Sequence, residues 1–173
     1  HNALKMSLAG ELVAEGAAVD VERRIPELYS RAADGRIVEK VMDLVASWPA
    51  SGKRHLIDVT VRCPYADRYT LASSVPGLAS AEGARDKFKH YGASVSPFSV
   101  ETQGRFGVEA LATLAALAND AAVYGRWKLG RRPGINIRGL RLKLEATLLR
   151  LEADSVLIGL GSREASVLGW TTA

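Results

Sequence analysis

Two aspartates are the residues whose type and setting point most directly to chemistry. Asp43 sits in VMDLV and Asp58 in LIDVTV, each among apolar and β-branched neighbours. Aspartate is depleted in strands, so one acid inside each of two strand-like runs is conspicuous. The runs cover 37–48 and 55–63, and Pro49-Ala50-Ser51-Gly52-Lys53 between them supplies turn chemistry, so they are expected to form an antiparallel hairpin. A hairpin centred between Ala50 and Ser51 sets Asp43 directly opposite Asp58. Facing Cβ atoms are then roughly 4.5–5.5 Å apart, and like charges so opposed are destabilising. A divalent cation relieves that repulsion. Mg2+ takes oxygen ligands and keeps several waters, and such waters can be activated to attack a phosphodiester while the cation stabilises charge on the phosphate. The plainer reading is two solvated aspartates on the open face of an edge hairpin. A slip of one residue would also undo the pairing.

The charge distribution adds a second feature. Net charge is +4 over 173 residues. Arg126, Lys128, Arg131, Arg132, Arg138, Arg141, Lys143 and Arg150 crowd 126–150 against Glu145 alone, whereas 11–43 is rich in acids. A basic cluster suits phosphate neutralisation, and a solvated helix face accounts for it equally well.

Elements must hold these groups in place. Helix is expected over 4–15, ending at Gly16, then extended chain over 18–25 and a short helical piece over 26–33, with Pro26 tolerated in its first turn. After the hairpin, Pro64 closes the second strand and a Ser/Pro/Gly-rich loop runs to Gly77. Helix follows over 78–91, strand over 95–102, an alanine- and leucine-rich helix over 108–124 and a basic amphipathic helix over 140–151, with a peripheral tail beyond Gly159. The expected fold is α/β (α+β): a small mixed β-sheet with a central antiparallel hairpin flanked by helices. One domain over 1–173 is expected, with a core at about 18–125 and a basic helical extension at about 126–158.

Other chemistries find little support. Cys63 is the only cysteine, so neither an internal disulfide nor a cysteine zinc site can be completed, which suggests an intracellular setting. No apolar run suffices for a membrane span. Ser51-Gly52-Lys53-Arg54 looks like the end of a P-loop, but position 47 is Ser. No Gly-x-Ser-x-Gly elbow exists, and three scattered histidines make no triad. Trp48, Trp127 and Trp170 read as packing residues and His55 as solvent-facing. The opening His1-Asn2, without an initiator methionine, suggests a segment of a larger protein.

The segment MDLV, a hairpin and then IDVTVRCPYADRY resembles the core of the PD-(D/E)XK nucleases. The nearest likeness is to the restriction-like endonuclease domain of site-specific non-LTR retrotransposons. His1-Asn2-Ala3-Leu4, Val21-Glu22 through Leu28, Asp86-Lys87-Phe88-Lys89-His90-Tyr91 and Val100 through Gly107 resemble further stretches of that domain, in the same order over about 1–120. The superfamily's lysine usually stands two residues after the second acid, where this chain has Thr60. In the retrotransposon branch it comes from the next helix, and Lys87 fits. Lys87, His90 and Tyr91 would share one helix face.

The resemblance implies a DNA endonuclease that nicks its target. Asp43 and Asp58 would hold Mg2+ or Mn2+ with the Val59 carbonyl, Lys87 would position water or stabilise the phosphate, and Glu101 would be a further acid. Lys89, His90, Tyr91 and Arg105 would contact DNA, as would Arg131, Arg132, Arg138 and Arg141 of the basic stretch. Lys89 is equally read as a surface lysine, Tyr91 as a core aromatic, and Glu101 with Arg105 as a structural ion pair. Flanking reverse-transcriptase and DNA-binding domains and a nuclear location are implied too. The alternatives are an inactive nucleic-acid-binding module of the same fold, favoured by Thr60 and His90, and a resolvase-like nuclease acting on branched DNA.

Overall fold

The computed structural model describes residues 1–69, 75–125 and 138–150, together with residue 153. Helix α1 (Asn2–Ala14) buries Leu4, Lys5, Leu8, Ala9 and Leu12 along one stripe. It ends at Gly16, whose φ of 90° lets the chain reverse and the Ala17 N–H reach Leu12 O at 3.0 Å. Strands β1 (Ala18–Arg24), β4 (Val41–Ser47), β5 (Arg54–Arg62) and β6 (Ser96–Glu101) make a sheet of order β1-β4-β5-β6. The first two pairings are antiparallel and β5–β6 is parallel, so the sheet is mixed. The parallel pair is joined through helix α2 (Leu78–Tyr91), as a crossover requires. Helix α3 (Val108–Tyr124) follows β6, and residues 138–150 form the described part of a fourth helix, α4.

The expected short helix over 26–33 is not formed. A single 3-10 turn covers Pro26–Leu28, and the chain then makes a small hairpin, β2 (Ser30–Arg31) against β3 (Ile37–Val38). Asp34-Gly35 is the reason. Gly35 takes φ 83° and Asp34 Oδ1 accepts the Arg36 N–H at 3.1 Å, which is turn chemistry rather than helix. The apolar run over 37–48 is thereby split, with Glu39 and Lys40 lying between β3 and β4.

The β4–β5 hairpin lies at the centre of the sheet, in the expected register. Leu44↔Ile57, Val45↔Leu56, Ala46↔His55 and Ser47↔Arg54 are paired about a centre between Ala50 and Ser51. Strand alternation then divides the residues between two faces. Leu44, Ala46, Ile57, Val59, Phe98 and Val100 join α1, α3 and Leu140, Leu144 and Leu148 of α4 in the main core. Val45 and Leu56 point the other way, with Ile25, Met42 and Val95. Asp43, Asp58 and Thr60 share the parity of that second face.

Helix α2 covers the second face at very close range. A Cβ on Gly83 would collide with Ser99 Oγ and come within 3.1 Å of Thr60 Cγ2 and 3.2 Å of Arg62 Cγ. Glycine thus sets the approach of helix to sheet, and Lys87, four residues on, projects from the same face one turn later.

Candidate active site

One step past the last β4–β5 pair, the register brings Asp43 against Asp58, and there the ladder stops. The Asp43 side chain takes its place: Oδ2 accepts the Val59 N–H at 2.8 Å. The same row extends to β1. Val21↔Leu44 and Arg23↔Met42 are paired, and Glu22, between them, falls opposite Asp43. Glu22 has φ 53°, the only positive value outside glycine among the described residues. Met42 belongs with Val45 and Leu56 although strict alternation would put it with Leu44. The pleat is therefore interrupted where the three acids align, and interruptions of this kind re-aim side chains.

A cleft of about 470 Å³ opens over this row, lined by Glu22, Asp43, Asp58, Val59, Thr60, Lys87 and Tyr91 among others. Its charges alternate. Lys87 Nζ lies 2.6 Å from Asp58 Oδ1, with Asp58 3% and Lys87 25% exposed. The contact is an ion pair without hydrogen-bond geometry, and that buried oxygen has no hydrogen-bond partner among the described residues. On the other flank, Lys5 Nζ is 2.6 Å from Glu22 Oε1 and 3.8 Å from Asp43 Oδ1. His1 Nε2 meets Asp43 Oδ2 at 3.0 Å.

Tyr91 closes one wall. Its O–H donates to the Val41 carbonyl at 3.1 Å, and Lys40 and Lys87 ammonium groups stand 5.7 and 5.9 Å from its ring centre. Burial, with the charges of Asp58 and Asp43, holds the phenol well above its ordinary range, so Tyr91 stays a donor. His90 turns outward from the row to Lys40, whose Nζ is 3.0 Å from Nε2. Burial first, then the Lys40 and Lys87 charges, depress its pKa from the usual 6.5.

Asp43, Asp58, Val59, Lys87 and Tyr91 are thus gathered as the sequence leads one to expect, and Asp58 is not on an open edge hairpin. Glu101 is not with them. It pairs with Arg62, four residues beyond Asp58 and about 13 Å away at the usual strand rise. There it is 2% exposed, accepts the Ser80 N–H at 3.4 Å in the first turn of α2, and has Arg105 Nε 3.9 Å away. Parallel pairing with β6 removes it from the acid row, and its position is that of an ion pair and helix anchor. Arg105 goes with it. Lys89 is exposed on α2.

The basic helix is likewise not a wall of the cleft. Leu140, Leu144 and Leu148 dock α4 into the main core, on the side of the sheet away from Asp58. Arg141 pairs with Glu145 at 2.7 Å and Lys143 with Glu11, while Arg138 is exposed. Arg131, Arg132, Trp127 and Trp170 lie outside the described residues. His55, expected in solvent, is half-buried instead: Nε2 meets Asp120 Oδ2 at 2.8 Å beside Trp48, which is buried as a packing residue.

His1, Lys5 and Glu22 are the site residues to which sequence reasoning gave no role. A lysine on the apolar stripe of α1 was the available signal.

Among the described residues no three His, Cys, Asp or Glu side chains are grouped to hold a metal ion. The oxygen donors that do converge, Asp43 and Asp58 with the Val59 backbone nearby, suit a hard cation that keeps most of its waters, not zinc. Asp58 Oδ1, which has the Lys87 ammonium beside it and no hydrogen bond among the described residues, is the atom that would hold such an ion. No family model matches the chain, and no curated protein matches it. Among the described residues no helix is long and apolar enough to cross a membrane.

Proposed function

We propose that the chain is a divalent-metal-dependent DNA endonuclease domain that nicks DNA by phosphodiester hydrolysis, with a restriction-endonuclease-like core. The observation that carries this reading is the meeting of Lys87 with Asp58 at 2.6 Å, from a helix 29 residues further along the chain. Two strand carboxylates and one lysine facing a cleft are what hydrolysis of a phosphodiester asks of a protein. Asp43, Asp58 and the Val59 carbonyl would hold Mg2+ or Mn2+, which when bound supplies an activated water and neutralises charge on the phosphate. Lys87 faces the same space and stabilises negative charge growing on the phosphate oxygens, a role that gains strength in a partly dry cleft. Tyr91, kept protonated, offers a hydrogen bond at the cleft wall. Asp43 is oriented by the Val59 N–H on Oδ2, and its second oxygen, Oδ1, lies 3.8 Å from the Lys5 ammonium. Duplex DNA is the proposed partner, and a larger retroelement protein acting in the nucleus the proposed context.

A second reading has one observation in its favour. Lys87 and Lys5 already neutralise Asp58 and Asp43, which would suit a nucleic-acid-binding module without catalysis. Supercoiled plasmid incubated with the domain and either Mg2+, Mn2+ or EDTA separates the two. Nicked circles that appear only with metal support the endonuclease. DNA retained in a gel shift with no nicking under any condition supports the binding module.

A further inference from the structure

The nuclease reading above uses two of the three acids in the row, and the third is not idle. Glu22, Asp43 and Asp58 fall opposite one another on three neighbouring strands. Three carboxylates in line create two gaps, each of which could draw a cation. One gap, at Asp58, borders the open cleft, and the ammonium beside it belongs to Lys87, 2.6 Å from Asp58 Oδ1 on a side chain 25% exposed and so able to swing aside. The other is already filled: the Lys5 ammonium stands between Glu22 and Asp43, 2.6 and 3.8 Å from their oxygens.

Lys5 is an expensive way to fill it. Its side chain is 3% exposed on the apolar stripe of α1, where a charge is tolerated only against a paired anion. A flexible surface lysine could screen Glu22 equally well without that cost. What burial adds is permanence: the ammonium is delivered by a helix packed into the main core and cannot swing away. Glu22, the residue that meets Lys5, is also the one with the positive φ of 53°.

We propose that Lys5 is a built-in cation that closes the Glu22–Asp43 half of the acid row, so that the site takes one divalent ion and not two. Lys5 is then a positioning residue that sets metal stoichiometry, and Glu22 is its anchor rather than a metal ligand. This rests on the metal-dependent reading of Asp43 and Asp58.

The test counts Mn2+ ions per chain, by paramagnetic resonance of free Mn2+ and by calorimetry, on the full chain without DNA. Wild type is expected to bind one ion. Lys5→Met, similar in length but uncharged, is expected to bind two, and Lys5→Met with Glu22→Gln to return to one. A folded Lys5→Met variant that still binds one ion overturns the proposal, as does a wild type that binds two. Should Lys5→Met not fold, Glu22→Gln alone decides, since Glu22 is 66% exposed and its loss is structurally mild. One ion at unchanged affinity supports the anchor role, and lost binding overturns it. A wild type that binds no Mn2+, with no difference from Asp58→Ala, removes the metal-dependent reading itself and the inference with it.

Discussion

Asp58 and Glu101 are both strand acids about 2% exposed, at opposite ends of the β5–β6 pair, yet they are built differently. Glu101 is a finished contact: a backbone N–H from the first turn of α2 and the Arg105 guanidinium account for its two oxygens. Asp58 is unfinished. It faces a cleft, its one close cation is a lysine on a long flexible stem, and one buried oxygen lacks a hydrogen bond. Buried polar groups are nearly always satisfied; Arg62 Nε, Ser99 Oγ and Glu109 Oε2 also lack a hydrogen bond among the described residues, and of the four only Asp58 lines the cleft. Burial of an acid does not by itself distinguish function from structure; the kind of partner does.

Substitutions can sharpen that contrast. The largest effect is expected at Lys87. Lys87→Met should lower nicking by about 10²–10³-fold, the usual loss for one donor to a developing oxyanion, while DNA binding in a gel shift changes little. Gly83→Ala comes next. Overpacking against Ser99, Thr60 and Arg62 costs about 1–3 kcal/mol, offset by up to about 1 kcal/mol of helix propensity. Urea unfolding should show a net loss, and nicking should fall because Lys87 moves with the helix. Glu101→Ala should behave in the opposite sense to Lys87→Met: a loss of about 0.5–2 kcal/mol, as for a helix cap, with nicking by the folded fraction preserved.

The smallest effect is at His90. NMR titration should give a pKa below 6.5, and Lys40→Met should raise it. A depressed histidine is protonated more readily in the unfolded chain. It therefore costs the fold nothing above pH 6.5 and destabilises it increasingly as pH falls through that value, the loss levelling off below the folded-state pKa.

Much of the site was legible in the sequence because hairpins are local. Turn residues 49–53 and the flanking alternation fix a register, and that register opposes Asp43 to Asp58. Lys87 was reachable through the ordered resemblance and helix spacing. Non-local geometry hid the rest. Whether Glu101 stands beside Asp58 depends on the parallel register of β6 against β5, a pairing that no local turn fixes. The described basic residues of α4 stay exposed while the leucine stripe beneath them docks that helix on the main core, on the side of the sheet away from Asp58. Lys5 and Glu22 meet only because α1 crosses the sheet where the pleat is interrupted.

The central claim is that Asp58 is a metal-holding acid of an endonuclease. The direct measurement is plasmid nicking with Mg2+ or Mn2+ by wild type and Asp58→Ala, prepared side by side and matched for folded content. The account predicts a metal-dependent nick by the wild type that disappears in Asp58→Ala. A metal-dependent nick that survives the substitution would contradict it.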